Sequence, residues 1–363
     1  MKIAEVEHIP VSVPFVEPFA IAGGRATHGR HVIVRLVTRG GEVGYGESAP
    51  MSSYSPQTQE SVLGEIDRLM GVITGRSPLE IERIHLDLED ARADSFARAG
   101  IDVALHDLAA RSLGIQVHDL LGGRVQDGVD LSWAIGFETP EAMAAEARRY
   151  VKKGFRTIKI KVGDEPGIDI ERASAVRDAI GPGPKLKVDA NQGYDLRTAI
   201  MVADKLAELD VSVMEQPLPR DDIRGLARFR RDSSIPLMVD ESLFGPIDAM
   251  KIMEGAAADI FNIKIMKPGG LRPSAKLAAI AEGGGIPCMV GSMPELGVGS
   301  LGGLHLAVSS RVFTYGAELI GSWMFEDDLL KESPRLENGR LMVPEGDGLG
   351  IDVDEGKLER YSV

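Results

Sequence analysis

A single cysteine, Cys288, among 363 residues rules out a disulfide within the chain and a cysteine-based zinc site, and points to a reducing compartment. Basic residues are outnumbered. The balance of 41 Lys and Arg against 55 Asp and Glu gives a formal charge of −14, which argues against nucleic acid or an anionic membrane as the main partner. No uninterrupted apolar stretch approaches the roughly 20 residues of a membrane span. Nor does a charged segment followed by an apolar one open the chain at Met1, so a cytoplasmic protein is expected. Low-complexity segments are missing. Gly269-Gly270 and Gly283-Gly284-Gly285 lack a phosphate-loop lysine and a dinucleotide fingerprint, and read as turns. His8, His28, His31, His85, His106, His118 and His305 do not cluster, and none ends a candidate strand, so an acid or base built on histidine is not expected.

With 44% apolar residues the chain can fill a large core, and its length suits one large domain plus a smaller one. Residues 2–13 and 31–46 alternate in the manner of strands, the second turned by Arg39-Gly40-Gly41, whereas 55–73 and 91–113 have helical spacing. Residues 1–125 therefore read as an α+β unit. After Gly122-Gly123 the pattern becomes a repeat of strand and helix. Candidate strands fall at 130–136, 157–162, 186–189, 211–215, 237–240, 260–264, 288–291 and 314–319. Thr139-Pro140-Glu141 and Asp195 mark helix starts between them, and Pro236 and Pro287 sit at strand beginnings. Eight parallel strands at this spacing suit a closed β/α barrel over residues 126–325 better than an open sheet. From about Glu326 the repeat is lost, and the tail is expected to return to the first unit.

Asp189, Glu215 and Asp240 each end one of these apolar runs, at intervals of about 25 residues, one strand-and-helix unit apart. A parallel barrel keeps its chemistry at the C-terminal strand ends, and three hard oxygen ligands meeting there suit Mg2+ or Mn2+. Lys159 and Lys161, in Thr-Ile-Lys-Ile-Lys, are two apart on a strand and share a face, here the barrel interior. Crowding and desolvation there are expected to lower a lysine pKa toward that of a general base. Asn262 and Lys264, in Phe-Asn-Ile-Lys-Ile, repeat the device four strands later, on the opposite side of an eight-stranded barrel. An ion held by the acids then has an amine on each side. That suits taking a proton from one face of a metal-bound carboxylate substrate and returning one to the other. A metal-free aldolase with Lys264 as a Schiff base is a different chemistry for the same barrel.

Other positions are less determined. Asn191 either supports a ligand or belongs to an Asn-Gln-Gly turn. Glu241, beside Asp240, is expected to point the other way, in a supporting role. Glu318, in Gly-Ala-Glu-Leu-Ile-Gly, points to the barrel mouth, toward Lys264 or the substrate. Trp323 lines the pocket or packs against the tail, and Tyr54 and Glu295 are further candidates for the mouth.

The set Lys159-Ile-Lys161, Asp189 with Asn191, Glu215 in Met-Glu-Gln-Pro, Asp240-Glu241-Ser242 and Asn262-Ile-Lys264 before Lys267-Pro-Gly-Gly resembles the enolase superfamily, in its muconate-lactonizing-enzyme subgroup. Ala99-Gly-Ile-Asp-Val-Ala-Leu-His-Asp-Leu with Leu120-Leu-Gly-Gly is similar to the family's capping-domain helix. The resemblance spans nearly the whole chain. It implies an α+β capping domain (1–125, completed by 326–363) over a (β/α)7β TIM-like barrel (126–325). It also implies Mg2+ or Mn2+ on the three acids, proton abstraction or return α to a carboxylate by Lys161 and Lys264, a small carboxylate substrate and a homo-oligomer. Glu318-Leu-Ile-Gly resembles the Glu-Leu-x-Gly of muconate and chloromuconate cycloisomerases, where dipeptide epimerases usually carry Asp-x-Asp. This implies lactonization of a cis,cis-muconate-type dicarboxylate. Gly321-Ser322-Trp323 departs from the Gly-Pro of those cycloisomerases. An aromatic face there, with Tyr54 and Glu295, suits instead a cationic amino-acid or betaine derivative. Racemisation, epimerisation or dehydration of dipeptides, N-acyl amino acids or proline derivatives is thus the alternative the resemblance implies.

Overall fold

Alternating apolar and polar residues fold the N-terminal segment into an antiparallel sheet of β1 (Ile3–Ile21), β2 (Gly24–Thr38) and β3 (Val43–Ser48). The computed structural model describes residues 1–21, 24–51 and 54–363. Three helices follow the sheet: α1 (Gln59–Ile73), α2 (Ile81–Asp90) and α3 (Ser95–Leu113). The spacing had placed helix over 55–73 and 91–113, and caps account for the later starts. Thr58 accepts from the Ser61 N–H at 3.2 Å, and Asp94 accepts from those of Phe96 and Ala97 at 2.8 and 3.0 Å. Residue Arg92, at φ 52°, belongs to the turn before α3, and α2 was not foreseen.

α3 is buried on all sides from Ala99 to Ala110, because it lies between the β2–β3 face and the barrel helices. Close approach demands glycine here: a Cβ on Gly46 would overlap the Gly100 carbonyl.

The second unit is a parallel sheet whose strands run in chain order: β5 (Ser132–Ile135), β6 (Thr157–Lys161), β7 (Lys185–Asp189), β8 (Val211–Glu215), β9 (Leu237–Val239), β10 (Ile260–Ile263) and β11 (Cys288–Val290). Two of the candidate strands differ from the sequence reading. Positions 130–136 divide into β5 and a preceding β4 (Gly128–Asp130), which pairs with β13 (Arg340–Met342) and, through it, β12 (Leu336–Glu337). Positions 314–319 form no regular strand. Ala317 alone bridges both Leu131 and Val290, in parallel sense, and closes the ring between its first and last strands. The chain is thus a (β/α)7β barrel with an α+β capping unit.

The tail touches both units. Beyond the β12–β13 pairing with β4, Ser362 bridges Val11, Phe325 bridges Phe15, and Glu355 accepts from the Tyr45 hydroxyl at 2.6 Å. Among the described residues no helix is long and apolar enough to cross a membrane.

Candidate active site

Register builds the site. Lys161 on β6 pairs with Asp189 on β7, and Asp189 pairs with Glu215 on β8, so three of the singled-out side chains form one row at neighbouring strand ends. Asp240 follows β9 directly, and Lys264 follows β10. All five are buried, as are Lys159, Asn262, Glu241, Glu318 and Lys267.

Each acid holds an ammonium group. Lys161 Nζ lies 2.7 Å from Asp189 Oδ2, and Lys264 Nζ lies 2.7 Å from Asp240 Oδ2. Lys159 Nζ donates to Glu215 Oε2 at 3.1 Å and to Asp189 Oδ2 at 3.3 Å, and is closer still to Glu318 Oε2. Of the two partners expected for Glu318, Lys264 or the substrate, the first is replaced by Lys159. A further lysine, Lys267, donates to Asp240 Oδ1 at 2.6 Å and to the carbonyls of Asp240 and Asn262 at 2.7 and 2.9 Å. Its motif was legible in the sequence, but its ion pair was not.

The supporting amides complete the floor. Asn262 Nδ2 donates to Glu215 Oε1 at 2.7 Å. Asn191 adopts a left-handed turn at φ 38° and also serves the site: its Oδ1 accepts from Lys161 at 2.7 Å, and its Nδ2 donates to Glu241 Oε1 at 2.9 Å. The turn reading of Asn191 holds, and its side chain faces Lys161 and Glu241. Glu241 does not point away, because its Oε1 meets an amide that itself touches Lys161. Tyr54 reaches in from the capping unit, its hydroxyl donating to Asp240 Oδ1 at 3.0 Å. The two serines before it lie outside the described residues.

Electrostatics follow from burial and crowding. Burial, with the Asp189 charge beside it, raises the Glu215 carboxyl to about 7. Burial and the charges of Asp240 and Asp189 raise Glu241 to about 8. Lys159 and Lys264 do not move down as expected. Burial works against the charge on Lys264, but Asp240 and Glu215 outweigh it and hold the amine above its usual range. For Lys159, burial is likewise overcome by Glu215, Glu318 and Asp189.

Asp189, Glu215 and Asp240 offer the all-oxygen donors that hard divalent ions take. Among the described residues no three His, Cys, Asp or Glu side chains are already gathered in metal-holding positions, since each acid is turned onto an ammonium. The charge nonetheless fits a cation. Crowding raises Glu215 and Glu241, and Glu241 Oε2 and Glu318 Oε1 are buried without a hydrogen bond.

Lys159, Lys161 and Lys264 open into one small cavity of about 50 Å3, together with Asn191, Glu318, Tyr54 and Ser292. Its outer wall is apolar: Phe19, Met51, Met293, Pro294, Ile320 and Met324. Nothing in the local sequence marked Phe19 or Met51, which arrive from the capping unit. Trp323 does not line this cavity. It lies beside an outer one of about 550 Å3 that shares Phe19, Ala134 and Met324 with it. Glu295 is buried behind the wall, its Oε2 accepting from the Met293 N–H at 3.0 Å. Four of the seven histidines, scattered in sequence, come together in space: His85 and His106 both contact Asp102, and the His118 and His305 rings lie 5.3 Å apart, away from this cavity.

Two family descriptions match the chain: "Mandelate racemase / muconate lactonizing enzyme, N-terminal domain" over residues 3–122, and "Enolase C-terminal domain-like" over 142–357. The chain belongs to the enolase superfamily. Among its relatives there, muconate cycloisomerase 1 of Rhodococcus opacus is 34% identical over 100% of this chain and 99% of its own. The crystal structure of N-succinyl Arg/Lys racemase from Bacillus cereus superimposes with a TM-score of 0.96 at 34% identity, covering 100% of this chain and 98% of that one. A dipeptide epimerase from Enterococcus faecalis, complexed with Mg and the dipeptide L-Leu-L-Tyr, gives 0.93 at 34% identity, covering 97% and 99%. Three isomerases of the superfamily with different substrates stand at one level of identity, so overall likeness does not select a substrate. This superfamily member is an isomerase.

Proposed function

We propose that the chain is a divalent-metal-dependent isomerase that moves the proton α to a substrate carboxylate, with Lys161 and Lys264 acting from opposite faces. One observation carries the reading. Lys161 ends β6 and Lys264 follows β10, the second and sixth strands around the ring, and both line the same cavity. Asp189, Glu215 and Asp240 are the ligands for Mg2+ or Mn2+, which when bound supplies positive charge to the substrate carboxylate. Lys159, kept as an ammonium by its acids, binds that carboxylate. One of the opposed lysines, as a neutral amine, takes the α-proton, and the other, as an ammonium, returns one to the far face. Asn191 aims Lys161.

Two opposed groups are what inversion at carbon requires, so racemisation or epimerisation of an amino-acid derivative is the first reading. The uncharged outer wall favours a single carboxylate with an apolar body, such as an N-acyl amino acid or proline derivative. Lactonization of a cis,cis-muconate-type dicarboxylate is the second, supported by Glu318-Leu-Ile-Gly and by the R. opacus relative.

The test is exchange in D2O with Mg2+, read by proton NMR on N-acetyl-L- and N-acetyl-D-methionine, N-succinyl-lysine, L-Ala-L-Glu and cis,cis-muconate. Both enantiomers of one derivative should lose the α-proton signal. Lys161→Arg should silence one enantiomer and Lys264→Arg the other. Turnover of cis,cis-muconate with no exchange in any amino-acid derivative would replace the first reading by the second.

A further inference from the structure

The turn that carries Lys264 is fastened from outside the barrel. After β10 the chain folds back on itself, the Lys267 N–H donating to the Lys264 carbonyl at 3.0 Å and the Gly270 N–H to that of Ile265 at 2.7 Å. Gly270, at φ 118°, leads into the helix Leu271–Gly283, whose N-terminus no neighbouring side chain of its own segment caps. The missing acceptor is Asp102, in the middle of α3. Its Oδ2 accepts from the Leu271 N–H at close range and from that of Arg272 at 3.3 Å. A Cβ on Gly270 would overlap the Asp102 side chain, so turn and carboxylate are in direct contact.

Asp102 is itself held. It is fully buried, His85 Nε2 contacts its Oδ1, and His106 Nδ1 lies 3.3 Å from its Oδ2. Among the described residues the hydrogen-bond partners of Lys161 are Asp189 and Asn191, both on the barrel itself.

We infer that Asp102 is a positioning residue for Lys264: from the capping unit it fixes the turn 264–271, and with it the lysine on one face of the cavity only. The inference rests on the reading of Lys264 as a proton-transfer group, and its consequence is asymmetric. An Asp102→Asn change loosens the end of the helix and displaces Lys264 while leaving Lys161 in place. Misplacement of a reacting group by about 1 Å costs on the order of 100-fold. The exchange that depends on Lys264 should therefore fall by roughly 10- to 100-fold, and the exchange that depends on Lys161 by less than about twofold.

The experiment uses the full chain with Mg2+ in D2O and follows N-acetyl-L- and N-acetyl-D-methionine separately, with Lys161→Arg and Lys264→Arg assigning each enantiomer to its lysine. Glu47→Gln is the control at the same interface. Glu47 accepts from the N–H groups of Leu296 and Gly299, each at 2.8 Å, and so caps the next barrel helix; its loss should slow both enantiomers alike. Backbone hydrogen exchange by mass spectrometry is the second arm: Asp102→Asn should speed exchange over 265–272 by at least about tenfold and leave 157–163 unchanged. Equal slowing of both enantiomers, or of neither, overturns the positioning role. If wild type exchanges neither enantiomer, the functional reading is what fails for this probe, and unaltered protection over 265–272 would then still overturn the anchor. Should Asp102→Asn not fold, His106→Gln, which removes one brace and leaves the carboxylate, should show the same asymmetry at smaller size; a symmetric effect refutes it.

Discussion

Lys264 stands over Tyr54: its Nζ is 4.5 Å from the centre of the phenol ring, whose hydroxyl donates to the same Asp240 that holds the ammonium. One side chain of the capping unit thus touches both the amine and the acid proposed to work beside it. A cation over an aromatic face is favoured as a cation, and the Asp240 bond fixes where the ring lies. Tyr54→Phe keeps the ring and loses one hydrogen bond to a charged group, a difference of about 1.5–3 kcal/mol, or roughly 10- to 100-fold. The expected outcome is a loss of that size in exchange from the Lys264 face, with a greater loss in Tyr54→Ala. A Tyr54→Phe enzyme with wild-type exchange on both faces would show that the hydroxyl is idle.

Lys159 neutralises Glu215, Asp189 and Glu318 at once. Removing one partner from buried ion pairs leaves uncompensated charge, at a typical cost of about 3–5 kcal/mol. Lys159→Met should lower the urea unfolding free energy by that order in metal-free buffer. Saturating Mg2+ should return part of the loss, because the ion and the ammonium serve the same oxygens.

Mg2+ that binds the folded chain alone stabilises it by about 2.7 kcal/mol at 100 times its dissociation constant. Wild-type protein stripped with a chelator should therefore gain a higher thermal midpoint on adding Mg2+. Asp240→Asn should not. No shift in wild type at any Mg2+ concentration would remove the metal from the proposal.

His305 supplies a pH dependence remote from the site. Burial lowers its pKa to about 4, and its neighbours are the His118 ring and the Leu349 carbonyl, 3.2 Å from Nε2. The unfolded chain binds this proton near pH 6.5 and the folded chain does not, so stability is present above pH 6.5 and lost as pH falls toward 4. The loss approaches about 3 kcal/mol, from the gap between the ordinary histidine value of 6.5 and about 4. Denaturant titrations at pH 7, 6 and 5 should decline more steeply in wild type than in His305→Gln.

What the sequence disclosed was local. An acid or a lysine at the end of an apolar run announces its place on a barrel, because strand period and strand end are written in neighbouring residues; Asp189, Glu215, Lys159 and Lys161 were legible for that reason. Glu241 was misread because the strand stops at Val239, so alternation no longer governs the residues after it. Lys159 was missed as the partner of Glu318, and Lys264 named instead beside the substrate, because the distances from Glu318 to the two lysines depend on ring closure. Asp102, Glu47 and the paired histidines carry no signal at all, since a carboxylate that caps a helix 169 residues away leaves no pattern near itself.

The seam at Ala317 has a further consequence. Every other stave of the ring is a continuous strand, while this one is irregular: Ala317 alone forms ladder bridges, and scattered backbone hydrogen bonds, such as Glu318 N–H to the Val290 carbonyl at 2.9 Å, hold the rest. Glu318 comes directly after Ala317, so the acid that pairs with Lys159 and lines the cavity is carried by an irregular stave. Changes in this short link can reshape what the cavity admits without disturbing β6 or β10, which would let a lineage exchange substrates while conserving its proton-moving machinery.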